Sequence, residues 1–515
     1  MTGPQINRRE FAGLTVASIG GGLAASERPL RADDQGDDWN PDRPPVVTGL
    51  PLRVQPVLTY ATAQRREKTS WRSWGRINSK EAAAQELDKI RAELAALAAG
   101  AGFPMKVLPP VAVASVDEAR RVGQGDHDVV VIYPATGTGD LLTACFPQKK
   151  PADVVIFARH ESGPTYYGYE YLNTRLLKTS REAEVARHSA DDHGPVTVDD
   201  VVIDDVGELR WRLRALYAVK NFIGRRIVAV GGPMGKWDPQ APKVARERYR
   251  LDIVDVSYDE LASRLKQVRT DTARIARART WTDRYLAMPG TTLSTDKTFV
   301  VNAFLLYDVF KDLMREHAAT AFTIQSCMNT VIPMSETTAC MPLSWINDEG
   351  LLAFCESDFV IIPAGILLHY VCGKPMFLHN STFPHRATVT CAHCTAPRRM
   401  DGAKYEPARI MTHYESDYGA APKVDMPVGQ EVTFIDPEYS TGRWVGFKGT
   451  IRGNPCHEIC RSQQDVEIQG DWQALRSEAR DSHWVMVYGD HLKEAAYAAR
   501  KIGVHWVGLG EPAAH

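Results

Sequence analysis

The amino-acid sequence predicts an α/β protein, with two parallel-sheet domains followed by a mixed α+β C-terminal domain that has a barrel-like component. Three observations carry this prediction. Up to about residue 380, short apolar runs alternate with amphipathic stretches, the rhythm of βαβ units. Several of those runs stop abruptly at glycine-rich or polar turns, as strands do when they deliver loops to one edge of a sheet. Beyond residue 380 the texture changes to Val-, Thr- and Ile-containing extended segments parted by Gly, Pro and Asp.

The chain has 515 residues, 44% hydrophobic and 24% charged, an ordinary balance for a globular protein of several domains. Lys+Arg 61 against Asp+Glu 63 leaves a net charge of -2, so no basic excess marks nucleic acid or an anionic membrane as a partner. Asn7-Arg8-Arg9-Glu10-Phe11 precedes a weakly apolar, Gly-rich run over 12–25, which fits a twin-arginine export signal over 1–32. Cleavage would follow Ala25 or Ala32, and the run is too short for a permanent membrane anchor. The expected location is therefore the periplasm or beyond. Residues 33–50 are acidic and Pro-rich, without a core-forming period, and read as a linker.

A first domain is expected over 51–180. A strand near 54–60 opens it, and Asn78 with Glu81 three residues on marks a helix start. Leu87, Ile90, Leu94 and Leu97 then form one apolar stripe of a helix ending at Gly100. A strand over 107–115, a short helix over 117–122 and a buried strand over 128–133 follow. Gly137 and Gly139 could bring a loop close to a ligand, but a tight strand-to-helix turn is the simpler reading, because no third glycine completes a nucleotide fingerprint. A strand over 153–158 leads into a loop over 159–169 rich in Arg, His and Tyr. There Tyr166 either stacks on a polyol or belongs to an aromatic turn that merely packs.

A second domain is expected over 181–378. It has helices over 207–222, 258–278 and 296–317, with strands over 225–230, 251–256, 321–324 and 351–355. The C-terminal domain, 379–515, has strands over 387–391, 431–435, 446–451 and 466–469. It closes with a strand over 483–488, a helix over 492–500 and a strand over 504–507.

The chemistry concentrates in 325–400. One apolar strand ends in Glu356-Ser357-Asp358, the next delivers His379 and Asn380, and a third delivers His393 and Cys394. With His483, these are the polar groups that strand ends would bring together. A carboxylate ending an apolar strand is rarely buried without partners, which singles out Glu356. Asp358 reads more simply as a cap for the apolar helix expected after it. A divalent metal, Mn²⁺ or Mg²⁺, beside such carboxylates would suit proton transfer next to a carbonyl. The cysteines offer a rival centre. Cys391 and Cys394, with Cys456 and Cys460, could hold zinc, although a Cys456–Cys460 disulfide or free buried thiols is simpler.

The run CMPLSWINDEGLLAFCESD, then GKPMFLHN and AHCTAPRRMDG, resembles the L-fucose isomerase-like family of sugar isomerases. The segments HYESDYGAAP, PVGQEVTF and HWVMVYGDHLKEAAYAARKIGV are similar to its C-terminal region. The resemblance implies two Rossmann-like domains, a C-terminal domain with a β-barrel component, and a homo-oligomer, trimeric or hexameric. It also implies a Mn²⁺-class metal held by two carboxylates and a His, and turnover of a free sugar through an ene-diol. Glu356 falls on the first metal-binding carboxylate and His483 on the metal-binding His. At the second carboxylate this chain has His379-Asn380, and Asn380 can coordinate through its carbonyl but cannot act as a base. Asp358, Glu415 or Glu336 would have to replace the lost acid, and His393 would complete the site.

The resulting expectation is a metal-dependent sugar isomerase-like enzyme. Glu356 and Asp358 would be catalytic, Glu356, Asn380 and His483 would hold metal, and His393, Tyr166 and Glu415 would contact sugar. The alternatives are an exported carbohydrate-binding protein without turnover, or a related epimerase or lyase.

Overall fold

The computed structural model describes residues 38–509, apart from 73, 148–151, 166–171, 173–176, 178–195 and 439–441. The expected export signal and Tyr166 lie outside the described residues.

The first sheet contains β1 (Leu52–Thr59), β2 (Met105–Val107), β3 (Val111–Val113), β4 (Val129–Pro134), β5 (Asp153–Ala158) and β6 (Val201–Ile203). Its order is β2-β1-β4-β5-β6 with β3 also beside β1, and every pairing is parallel. β4 is buried along its whole length, which is why its sequence is an unbroken apolar run rather than an alternating one. Pro109-Pro110 splits the strand expected over 107–115 into β2 and β3. β6 carries this sheet past the boundary expected at residue 180. The helix Lys80–Ala99 starts on Ser79, whose hydroxyl accepts the Ala82 N–H, one residue later than Asn78.

The second sheet is built from β7 (Arg226–Val230), β8 (Asp252–Val256), β10 (Ala321–Ile324) and β11 (Leu352–Cys355), with β9 (Thr291–Ser294) leaving for a separate sheet. All four strands run parallel in the order β11-β10-β7-β8. The order reverses between β7 and β10, and ligands of open α/β sheets bind beyond the strand ends at such a crevice. The helix expected over 258–278 is two helices, Tyr258–Val268 and Thr272–Leu286. Asp271 restarts the second by accepting the N–H groups of Ala273 and Arg274. The helix Cys340–Asp348 was not legible, because its apolar residues surround it and give no one-sided stripe.

The C-terminal region contains β12 (Phe377–Ser381), β13 (Thr388–His393), β14 (Ala408–His413), β15 (Tyr418–Val424), β16 (Glu431–Glu438), β17 (Arg443–Gly453), β18 (Ser462–Gln469), β19 (His483–Tyr488) and β20 (His505–Gly508). Six of them close an antiparallel barrel in the order β16-β19-β12-β13-β18-β17, with β17 pairing back to β16. Closure removes both open edges. β20 pairs with β17 in parallel, and β15-β14-β9 form a small separate sheet. Phe434 and Phe447 stack 4.6 Å apart, with Trp484 edge-on to both.

The helix Ile362–Cys372 is buried on every side. It packs against the helix Val206–Phe222, which also touches β1 and β5 of the first sheet, and against the helix Leu492–Lys501, which follows the barrel strand β19. The described part of the expected linker is anchored rather than free. Trp39 is 3% exposed and lies against Tyr285, Phe304 and Trp345. No helix among the described residues is long and apolar enough to cross a membrane.

Candidate functional site

Two loops leave the carboxyl ends of β7 and β11 and are hydrogen-bonded to each other. The Met234 N–H donates to the Ser357 carbonyl (3.0 Å), and the Phe359 N–H donates to the Met234 carbonyl (2.7 Å). Gly231 makes the first loop possible. Its φ is +81°, and a Cβ there would lie 2.2 Å from the Tyr258 hydroxyl oxygen. The second loop holds two side-chain-bearing residues in the left-handed region, Glu356 (φ +64°) and Ser357 (φ +49°). Such conformations cost about 1–3 kcal/mol each and concentrate where a protein must aim a side chain.

What is aimed is the Glu356 carboxylate. The Lys236 Nζ donates to Glu356 Oε2 (3.1 Å) and to His483 Nε2 (3.1 Å). His393 Nε2 lies 3.7 Å from Glu356 Oε1, and His483 Nε2 lies 3.7 Å from Glu356 Oε2. One donor atom from each of Glu356, His393 and His483 falls within 4.8 Å of the other two. Burial pushes the Glu356 carboxyl upward. The His393 hydrogen bond, the neighbouring imidazoles and the Lys236 ammonium outweigh it and hold the group well below the usual carboxylate range.

Each imidazole is oriented from behind. Asp358 Oδ2 accepts from His483 Nδ1 at 2.7 Å, and both side chains are fully buried. With Nδ1 donating there and Nε2 accepting from Lys236, the partners require neutral His483 protonated on Nδ1, with its Nε2 lone pair turned to the site. A carboxylate behind an imidazole in this way is the usual support of a metal-ligating His. His393 Nδ1 is hydrogen-bonded to the Thr395 hydroxyl (2.9 Å).

The residues singled out from sequence divide into two groups. Glu356, His393 and His483 converge, although His483 is more than a hundred positions from Glu356 in the chain. Asn380 pairs directly with His483 across β12 and β19, so the two side chains leave the same face of the sheet. Asp358 lies behind His483 rather than facing the opening, its Oδ1 accepting the N–H groups of Lys236 (3.0 Å) and Val360 (3.1 Å). The cap expected of it is not made, because the helix Ile362–Cys372 has Ile361 at its N-cap and takes no side-chain cap bond. His379 does not join them. It lies among Phe377, Phe434 and Trp484 with no exposure, and burial lowers its pKa to about 3. Adjacent residues of a strand face opposite ways, so Asn380 and His379 cannot both reach one site.

Glu415 lies 3.5 Å from His413, and Glu336 pairs with Arg269 at 3.2 Å. The four cysteines read as a possible zinc set also divide. Cys391 is buried on β13, and Cys456 is exposed, accepting from Arg409 (3.4 Å). All nine cysteines are free thiols.

Lys236, Thr395 and the exposed Trp237, whose indole N–H donates to the Ser482 hydroxyl (3.2 Å), were missed from sequence. The signal for Lys236 was present. Gly231-Gly232-Pro233-Met234-Gly235 after a buried strand is a tight loop at a strand end, the place where α/β proteins put binding groups. No family model matches this chain, and no curated protein matches it.

Proposed function

We propose that this protein is a metal-dependent enzyme of the sugar isomerase type, acting on a free sugar or sugar derivative. The observation that carries the reading is the convergence of Glu356, His393 and His483 beyond the strand ends of the second sheet, with Lys236 bonded between two of them. The resemblance to the L-fucose isomerase-like family supports it, and with it two Rossmann-like domains and a homo-oligomer, while the twin-arginine pattern at Arg8-Arg9 supports an exported location.

The donor set fits a divalent cation. One carboxylate and two imidazoles favour Mn²⁺ or a first-row neighbour over Mg²⁺, which prefers oxygen ligands. The Lys236 ammonium shows that the surrounding atoms already favour positive charge. Glu356, His393 and His483 would hold the ion, and the Asn380 carbonyl faces the same side. When bound, it would polarise the sugar carbonyl and its neighbouring hydroxyl. The protein's own groups do the rest. Glu356, held ionised, removes the proton from the carbon beside the carbonyl and returns it one carbon along. Lys236 donates a hydrogen bond to the oxygen on which charge develops. The flat indole of Trp237 offers an apolar surface to a sugar ring at the entrance.

A second reading, sugar binding without turnover, has one observation in its favour. The Lys236 ammonium already neutralises Glu356, leaving the carboxylate paired in the absence of metal.

The test is metal content of the purified full chain, followed by incubation with free aldoses and ketoses in deuterated water with added Mn²⁺. Aldose–ketose conversion with deuterium gained at carbon, lost in Glu356→Gln, supports the proposal. Exchange without an aldose–ketose shift moves the activity to an epimerase or lyase. Sugar binding without any exchange, at full metal occupancy, refutes catalysis.

A further inference from the structure

A second group of soft ligands lies outside the site above. Cys340, Cys394 and His413 each place a donor atom within 4.8 Å of the other two, and they are 4%, 2% and 8% exposed. Cys460 joins them, hydrogen-bonded to Cys394 and packed on the same cluster as Cys340 and Ala421. These four residues come from four places. Cys340 opens the helix Cys340–Asp348, Cys394 follows β13, His413 ends β14, and Cys460 stands two residues before β18.

We propose that Cys340, Cys394, Cys460 and His413 form a structural metal centre of the three-cysteine, one-histidine class, and that its ion is zinc. Three thiols and one imidazole make a closed tetrahedral set for this borderline-soft cation. Zinc–sulfur bonds of about 2.3 Å put bound sulfurs roughly 3.8 Å apart, so Cys340, Cys394 and His413 need only a small contraction, and Cys460 would close in from its contact with Cys394.

Three further details suit the role. The backbone N–H of Arg461 donates to Cys394 Sγ (3.3 Å), a bond that favours a thiolate over a thiol. The Ser416 hydroxyl is hydrogen-bonded to His413 Nδ1 (3.0 Å), which leaves Nε2 for coordination. Glu415 lies 3.5 Å from that Nε2, but its side chain is 55% exposed and not held in the cluster. Without a cation, the Cys394 and Cys460 thiols are hydrogen-bonded to each other, with the His413 imidazole beside Cys394. A divalent ion replaces the thiol protons with ligand bonds.

The centre would act on the fold at a useful point. It ties the second domain (Cys340) to the small sheet (His413) and to the barrel (Cys394, Cys460). Cys394 directly follows His393, so the ion would also fix the end of β13 that presents His393 to Glu356. The pairing differs from the one the sequence suggested, because Cys391 and Cys456 are replaced by Cys340 and His413.

The experiment measures bound zinc in the full chain after dialysis against a weak chelator. About one zinc per chain is expected, retained in Cys391→Ser and in Glu356→Gln and lost in Cys340→Ser and in His413→Asn. Retention in Glu356→Gln separates this centre from the proposed active site. Should the cluster variants fail to fold, the wild type still decides. A mercurial reagent added to native protein should release zinc as three thiols react, and Co²⁺ exchange should give thiolate-to-metal absorption. A zinc-free folded protein with Cys394 disulfide-linked to Cys460 on peptide mapping overturns the proposal. So does zinc that survives replacement of both Cys340 and Cys460.

Discussion

Asp358→Asn isolates the tautomer of His483 from nearly everything else. In the native protein Oδ1 accepts the Lys236 and Val360 N–H groups, and an asparagine carbonyl keeps both bonds. The change falls on Oδ2, which accepts from His483 Nδ1 at 2.7 Å with both groups fully buried. An amide NH₂ in that place is a donor facing a donor. The imidazole resolves the conflict by moving its proton to Nε2, the nitrogen that faces Glu356 and Lys236. A protonated Nε2 cannot ligate, so one of the three proposed metal donors is lost. Replacing a carboxylate behind a ligating His typically lowers metal affinity 10–100-fold, or about 1.4–2.7 kcal/mol. Mn²⁺ titration by calorimetry, on wild type and on a variant with unchanged circular dichroism, reads this directly. Equal affinities would refute the role given to Asp358 and, with it, the assignment of His483 Nε2 as a ligand.

Two other outcomes test the packing. Trp39→Ala removes an indole from between Tyr285, Phe304 and Trp345, and should cost about 3–5 kcal/mol in urea unfolding. A loss below about 1 kcal/mol would mean that residues 38–50 are not part of the core. His369 supplies a pH signature. Burial lowers its pKa to about 4, opposed by the hydrogen bond of its Nδ1 to the Lys374 carbonyl and assisted by Arg225 and Arg214. Because the folded value lies below the unfolded one of about 6.5, stability is intact above pH 6.5 and falls as pH drops toward 4, by about 3 kcal/mol for this group. His369→Gln should lose correspondingly less between those pH values. Parallel curves for the two proteins would show that His369 is not held neutral.

Local physics was legible before any coordinates. Apolar runs gave β4, β5, β7 and β19 almost to the residue, and Asp296 capped the helix Lys297–Glu316 as a short acceptor should. Errors arose where a local signal competed with another. Asp271 restarts a helix inside an otherwise continuous helical period, and two prolines interrupt an extended stretch. β14, β15 and β9 gave little signal, since much of what stabilises them is the pairing itself, between segments far apart in sequence.

The sequence by itself determined the alternation of elements, the end of β11 at Glu356 and the presence of His483 at the head of β19, because strand termination and apolar periodicity depend on neighbours in the chain. Only the tertiary structure decided which polar groups meet. Lys236, Glu356 and His483 are brought together by two loops and a barrel strand, and His379 is turned away from Asn380 by the pleat of β12. Cys340 is placed beside Cys394 by packing between domains. Hydrogen-bond partner, tautomer and charge environment depend on distances through space, which a linear order of residues does not contain.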